Sequence, residues 1–194
     1  MSEYDRKTAL IVTDIQNDFA DPSGSLYVSD GESVVPVANR EIDEALQAGA
    51  VVVYTQDWHP PNTPHFKKDG GIWPVHCVQH TWGAEFHPAL HTAGPVVRKG
   101  TGGEDGYSGF TVRDPESGET EGTDLEPILR DHGVERLVIL GLATDYCVKE
   151  TALDAERKGF DAVVLLEGVR AVNLQPEDEQ RALDEVVKAG ARVE

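Results

Sequence analysis

The chain has 194 residues, enough for one domain with a full core, and a formal net charge of −18 from 35 acidic and 17 basic side chains. That charge repels phosphate backbones and anionic lipid surfaces, which argues against nucleic acid and membrane as partners. No apolar run reaches the length of a membrane span and the N-terminal Met-Ser-Glu-Tyr-Asp-Arg-Lys has no signal-peptide core, so a cytoplasmic protein is expected.

Thr8 to Thr13 is a continuous apolar run of strand length that ends at Asp14, the pattern of a parallel strand covered on both faces. Gln16 to Phe19 and Asp21 to Gly24 read as loop and turn, and Val34 to Ala48 carries helical periodicity that stops at Gly49. Ala50 to Thr55 is a second buried strand. A long loop at about 57–88 follows, rich in Pro and Gly; such loops are functional or disordered, and its tryptophans and histidines argue against disorder. Pro95 to Arg98 is a short third strand that delivers Lys99. The glycine-rich stretch from Gly100 to Gly109 holds Tyr107 but lacks both the ending of a P-loop and the spacing of a dinucleotide fingerprint. Thr123 can cap a helix from Asp124 to His132, with Gly133 as its stop. Leu137 to Gly141 is a fourth strand, and a helix runs from near Thr144 to Gly159. Asp161 to Glu167 reads as the fifth strand, Pro176 to Ala189 as the last helix and Ala191 to Val193 as a sixth strand. This alternation predicts one three-layer α/β/α domain over 1–194, on a six-stranded, mostly parallel sheet with right-handed crossovers.

In an open parallel sheet, ligands bind beyond the carboxyl ends of the strands. Asp14, Asp57, Lys99 and Cys147 all fall just past such ends, a set that suits a nucleophile, an acid/base and a cation supporting both anions. Cys147 falls in the first turn of a helix, where backbone N–H groups and the dipole favour the thiolate; a small buried core cysteine is the competing reading. Taken singly, Asp14 could equally cap a turn and Lys99 could be a solvated surface residue. Cys77 and Cys147 are expected as two free thiols.

Asp57 and His59, two apart at a strand end, point to the same side, and His65 and His76 return from the same loop. Asp57, His59 and His76 give the mixed oxygen and nitrogen set of a catalytic metal with open positions, while His65 either coordinates or stands nearby. The alternative for this loop is a solvated Pro/His-rich turn. One divalent ion is expected, zinc first, with iron and manganese suited to the same donors. His80, His87, His91 and His132 lack such partners and read as surface or structural histidines. Phe19, Trp73 and Tyr107 each sit beside a catalytic or metal residue and could wall a flat slot for a planar heteroaromatic ring, or merely pack the loops.

Asp14 in Asp-Ile-Gln-Asn-Asp-Phe, Lys99 in Arg-Lys-Gly and Cys147 in Gly-Leu-Ala-Thr-Asp-Tyr-Cys-Val resemble the Asp/Lys/Cys triad of the isochorismatase-like cysteine hydrolases. Asp57-Trp-His59, His65, Trp73-Pro-Val-His76-Cys and Tyr107-Ser-Gly-Phe are similar to the metal loop and pocket of its nicotinamidase branch, also called pyrazinamidases. The resemblance covers nearly the whole chain. It implies strand order 3-2-1-4-5-6, and with it an edge strand before Lys99 whose loop must fold inward for the lysine to reach Cys147. It also implies hydrolysis of nicotinamide, and of pyrazinamide, through a thioester on Cys147. Asp14 would move the proton, and the backbone N–H groups of Ala143 and Cys147 would hold the oxyanion, with a cis peptide between Leu142 and Ala143. Ala143 also joins the substrate contacts, and the metal would meet the ring nitrogen. The alternatives are another amide or carbamoyl hydrolase or an isochorismatase of the same superfamily, and a non-catalytic metal- or partner-binding protein, which the intact triad disfavours. Monomer and homo-oligomer are both open.

Overall fold

The structure, a computed structural model, describes residues 4–194. Every residue of β1 (Thr8–Thr13) is buried, as an unbroken apolar run demands of a strand covered on both faces. It pairs in parallel with β2 (Val51–Asp57) on one side and with β6 (Arg136–Leu142) on the other. β3 (Val96–Lys99) lies outside β2, while β7 (Asp161–Arg170) and then β8 (Arg192–Val193) lie outside β6. The sheet order β3-β2-β1-β6-β7-β8 is 3-2-1-4-5-6 when its six strands are counted alone, as the resemblance implied.

The two faces of β1 feed two cores. Leu10 and Val12 pack with Val35, Ala38 and Ile42 of α2 (Val34–Gln47). Ala9 and Ile11 face the opposite layer, with Leu125 and Leu129 of α3 (Leu125–Asp131), Ala152 and Ala155 of α4 (Lys149–Arg157) and Val186 of α5 (Asp178–Ala189). Each fully buried Leu or Ile contributes about 1.5–3 kcal/mol, so this alternation fixes the register of the central strand. Among the described residues no helix is long and apolar enough to cross a membrane.

Several expected boundaries shift. Gln16 to Phe19 is not simply a loop: Asn17–Ala20 forms one buried helical turn, α1, although its Asn and Asp favour turns when taken locally. β2 and β7 run on past Thr55 and Glu167, and α5 starts at Asp178, two residues after Pro176. The helix after β6 opens with a π-helical turn, Thr144–Val148. A small antiparallel hairpin, β4 (Thr111–Arg113) with β5 (Thr120–Gly122), was not foreseen, because three-residue, largely exposed strands carry no readable period. The N-cap of α3 is Asp124 and not Thr123, because the helix starts one residue later than expected, although Thr123 Oγ1 still accepts the Leu125 N–H at 3.2 Å. The 57–88 loop folds back on itself through bridges His59–Val78 and Phe66–Trp73 and short 3-10 turns at Lys67–Asp69 and Trp82–Ala84.

Gly141, near the end of β6 and before the π-helical turn, holds φ at 118°, and a Cβ there would stand 2.0 Å from the Thr13 carbonyl oxygen. Gly141→Ala is therefore expected to lose about 3 kcal/mol or more of stability, from left-handed strain plus overpacking. An unchanged denaturant midpoint would contradict this.

Candidate active site and metal cluster

Asp14 follows β1 and is fully buried. Its Oδ1 accepts from Thr55 Oγ1 at 2.6 Å and its Oδ2 from Lys99 Nζ at 2.6 Å. Lys99 is paired in register with Asp57 on the neighbouring strand, so its long side chain crosses β2 to reach Asp14. The ammonium also donates to the Gly106 carbonyl at 2.6 Å and lies 3.1 Å from Asp57 Oδ1. The inward fold that an edge strand required is present: Gly106 passes so close that a Cβ on it would lie 2.8 Å from the Lys99 Cβ. Burial opposes the Lys99 charge, but Asp14 and Asp57 outweigh it and hold the ammonium well above its ordinary range. Burial raises the Asp14 carboxyl, with Lys99 opposing.

Cys147 Sγ and carboxylate oxygens of Asp14 and Asp57 all lie within 4.8 Å of one another. With Lys99 already paired to both carboxylates, this cluster has the composition of a nucleophile site and not of a metal cage. Burial pushes the Cys147 thiol well up, and Lys99 only partly offsets this while the two carboxylates reinforce it. The helix start was expected to favour the thiolate, and burial overrides it. A helix terminus contributes about 0.3–1 kcal/mol, too little to outweigh the desolvation of a buried anion beside two carboxylates. Burial thus favours the neutral thiol at Cys147. Cys77, also free, is fully buried, with its N–H donating to Asp18 Oδ2 at 2.7 Å.

On the other side of Asp57, its Oδ2 lies 3.7 Å from His59 Nε2 and 3.9 Å from His76 Nε2. His59, His65 and His76 are buried and each offers a ligand atom, all within 4.8 Å of one another. His65 stacks on His59 with ring centroids 4.6 Å apart, so the histidine the sequence left open joins the cluster. Both His59 ring nitrogens are buried without a hydrogen-bond partner. Buried imidazole nitrogens left unpaired among two further histidines and a carboxylate fit a divalent cation. Burial pushes His76 down to about 4, keeping it in the neutral form that ligates. Burial works against the Asp57 charge, but Lys99 and then His59 overcome it and hold the carboxyl well below the usual range. The remaining histidines stand apart from the cluster; His132, for instance, faces the Ile128 carbonyl and His91 faces Asp43.

Phe19, Trp73 and Tyr107 do converge: all three line one pocket with Asp57, His76 and Cys147. Trp73 Nε1 donates to the Tyr107 hydroxyl at 2.8 Å, and Phe19 packs on His76 at 5.5 Å. Ala143 also lines it, and the Leu142–Ala143 peptide is cis. Sequence reasoning missed Tyr146, whose ring meets Trp73 edge-on at 4.8 Å, and the apolar wall of Leu26, Val28, Leu142 and Val172. The position of Tyr146 next to Cys147 was a usable signal; the apolar residues gave none that set them apart from core. It also missed Gln16, whose side chain donates to the Asp57 carbonyl at 2.7 Å and accepts the Asp57 N–H at 2.8 Å, clamping the residue shared by triad and histidines.

Residues 8–194 match the isochorismatase domain. The chain is 41% identical to a nicotinamidase of Escherichia coli, across 94% of this chain and 92% of that protein. Among solved structures it superposes on a pyrazinamidase of Pyrococcus horikoshii in complex with zinc, with TM-score 0.86 and 43% identity over 97% of this chain and 98% of that one. PnC1 from L. infantum in complex with nicotinate superposes with TM-score 0.88 and 36% identity, over 100% of this chain and 95% of the other. With the domain match spanning almost the whole chain, the protein belongs to the isochorismatase family.

Proposed function

We propose that this protein is a metal-dependent cysteine amidohydrolase that converts nicotinamide to nicotinate and ammonia, and that it also cleaves pyrazinamide. The observation that carries this reading is Asp57, which stands beside Lys99 of the Asp14, Lys99 and Cys147 cluster and beside His59 and His76, at a pocket lined by Asp57, His65, His76 and Cys147. The nicotinamidase of Escherichia coli and the zinc-bound pyrazinamidase of Pyrococcus horikoshii support the substrate and the ion.

Asp14 takes the thiol proton while Lys99 compensates the charge, and Cys147 Sγ bonds to the carboxamide carbon. Backbone N–H groups of Ala143 and Cys147 hold the oxyanion; losing one such donor typically costs about 3 kcal/mol of barrier. As the tetrahedral adduct collapses, the C–N bond breaks and Asp14 returns its proton to the departing nitrogen, releasing ammonia. Water then adds to the thioester with Asp14 as base, and the C–S bond breaks to give nicotinate. Asp57, His59, His65 and His76 would hold a divalent ion, zinc foremost, which supplies a Lewis-acid contact for the ring nitrogen and so orients the substrate. Phe19, Trp73 and Tyr107 wall the ring, worth about 1 kcal/mol each beyond burial.

Benzamide keeps the ring but lacks its nitrogen. Its kcat/KM is expected to fall roughly 100-fold or more below that of nicotinamide, with pyrazinamide close to nicotinamide, in a coupled ammonia assay on metal-quantified protein. Equal turnover of benzamide, or turnover of a linear carbamoyl compound in place of nicotinamide, would move the protein to another hydrolase of its superfamily.

A further inference from the structure

Asp105 has no part in the triad, the pocket wall or the ligand set, yet its Oδ1 sits 2.6 Å from His65 Nδ1. The His65 side chain is almost wholly buried and the Asp105 side chain is 18% exposed. A ring whose Nδ1 is tied to a carboxylate has only Nε2 left to offer a metal. Asp105 is itself pinned: its N–H donates to the Arg113 carbonyl at 2.8 Å and its carbonyl accepts the Arg113 N–H at 2.9 Å, anchoring it to strand β4. The next two residues complete the pattern, since Gly106 O accepts from Lys99 and the Tyr107 hydroxyl accepts from Trp73. One three-residue segment thus touches a candidate ligand, the catalytic lysine and the pocket wall in turn.

We infer that Asp105 is a positioning residue for the metal: it fixes the His65 tautomer with the proton on Nδ1, directs Nε2 to the ion and so makes His65 a ligand. The inference rests on the metal site proposed above. A carboxylate behind a ligating imidazole orients the ring and raises its basicity, and losing such a partner typically weakens metal affinity by about 10- to 100-fold. Asp105 acts through His65 alone, so its effect must vanish when His65 is gone. Because the ion orients the ring and not the carbonyl, the effect on turnover falls on KM for nicotinamide and leaves kcat at saturating zinc nearly unchanged.

The test is zinc affinity of metal-stripped protein, measured by competition with a chromophoric chelator, for wild type, Asp105→Ala, Asp105→Asn, His65→Ala, His76→Ala and the double variant Asp105→Ala/His65→Ala. Asp105→Ala is expected to weaken zinc binding by roughly 10- to 100-fold, and Asp105→Asn, whose amide oxygen can still accept from Nδ1, by clearly less. The double variant is expected to bind as His65→Ala does, and added zinc should bring KM for nicotinamide in Asp105→Ala back toward the wild-type value. If Asp105→Ala does not fold, the Asn variant carries the comparison: its zinc affinity should lie below wild type, by a deficit that vanishes on the His65→Ala background. Wild-type affinity in the Asp105 variants alongside weakened binding in His65→Ala would overturn the role of Asp105, and so would losses that add in the double variant. Wild-type zinc affinity in His65→Ala, His76→Ala and Asp105→Ala alike would instead overturn the metal site itself.

Discussion

Cys147→Ala is expected to lower nicotinamide turnover by roughly a million-fold, the scale on which a covalent nucleophile is lost, while costing about 1 kcal/mol of stability at most. The asymmetry follows from the geometry. Cys147 Sγ lies close to carboxylate oxygens of both Asp14 and Asp57, and removing it opens only a small space at the pocket wall. Cys77 provides the control. It is fully buried, burial pushes its thiol well up, and its sulfur faces the Gly83 carbonyl at 3.8 Å. Iodoacetamide on the native protein should therefore inactivate in step with labelling of Cys147. Inactivation that tracks Cys77 would overturn the assignment.

Asp14→Asn is expected to lower kcat/KM by about 10,000-fold, the upper end for loss of a general base, because the change also removes the closest anion from Lys99. The wild-type pH profile carries the sign. Asp14 works as the base only when ionised, and burial raises its carboxyl above the ordinary value of about 3.9. Activity should therefore fall as pH drops through that raised value, placing the acid limb of kcat/KM above the usual aspartate range. In Asp14→Asn the residual activity should lose that limb. An acid limb at or below the ordinary carboxylate value, or wild-type rates in the variant, would contradict the role.

The strands that carry the site were legible because their apolar runs are continuous and end at chemistry. Thr8 to Thr13 ends at Asp14, and β3 ends at Lys99. The histidine loop was legible through its composition, but periodicity cannot tell how a loop closes. That His65 belongs with His59 and His76 emerges only when the Phe66–Trp73 bridge folds the loop back. The surroundings that oppose ionisation of Cys147 were hidden for a related reason. The sequence locates a helix start, whereas the thiol responds to the desolvation and the two carboxylates that tertiary packing puts around it. Gln16 and Asp105 went unseen because a clamp is defined by its partner, 41 residues away in one case and 40 in the other.

The most direct measurement is to acid-quench metal-loaded enzyme during turnover of nicotinamide and to map the acyl adduct by peptide mass spectrometry while quantifying ammonia. The result expected is a nicotinoyl thioester on the peptide containing Cys147, formed in step with the first equivalent of ammonia and absent from Cys147→Ala. Ammonia release with no adduct at Cys147 in rapidly quenched samples, accompanied by undiminished activity of Cys147→Ala, would contradict it.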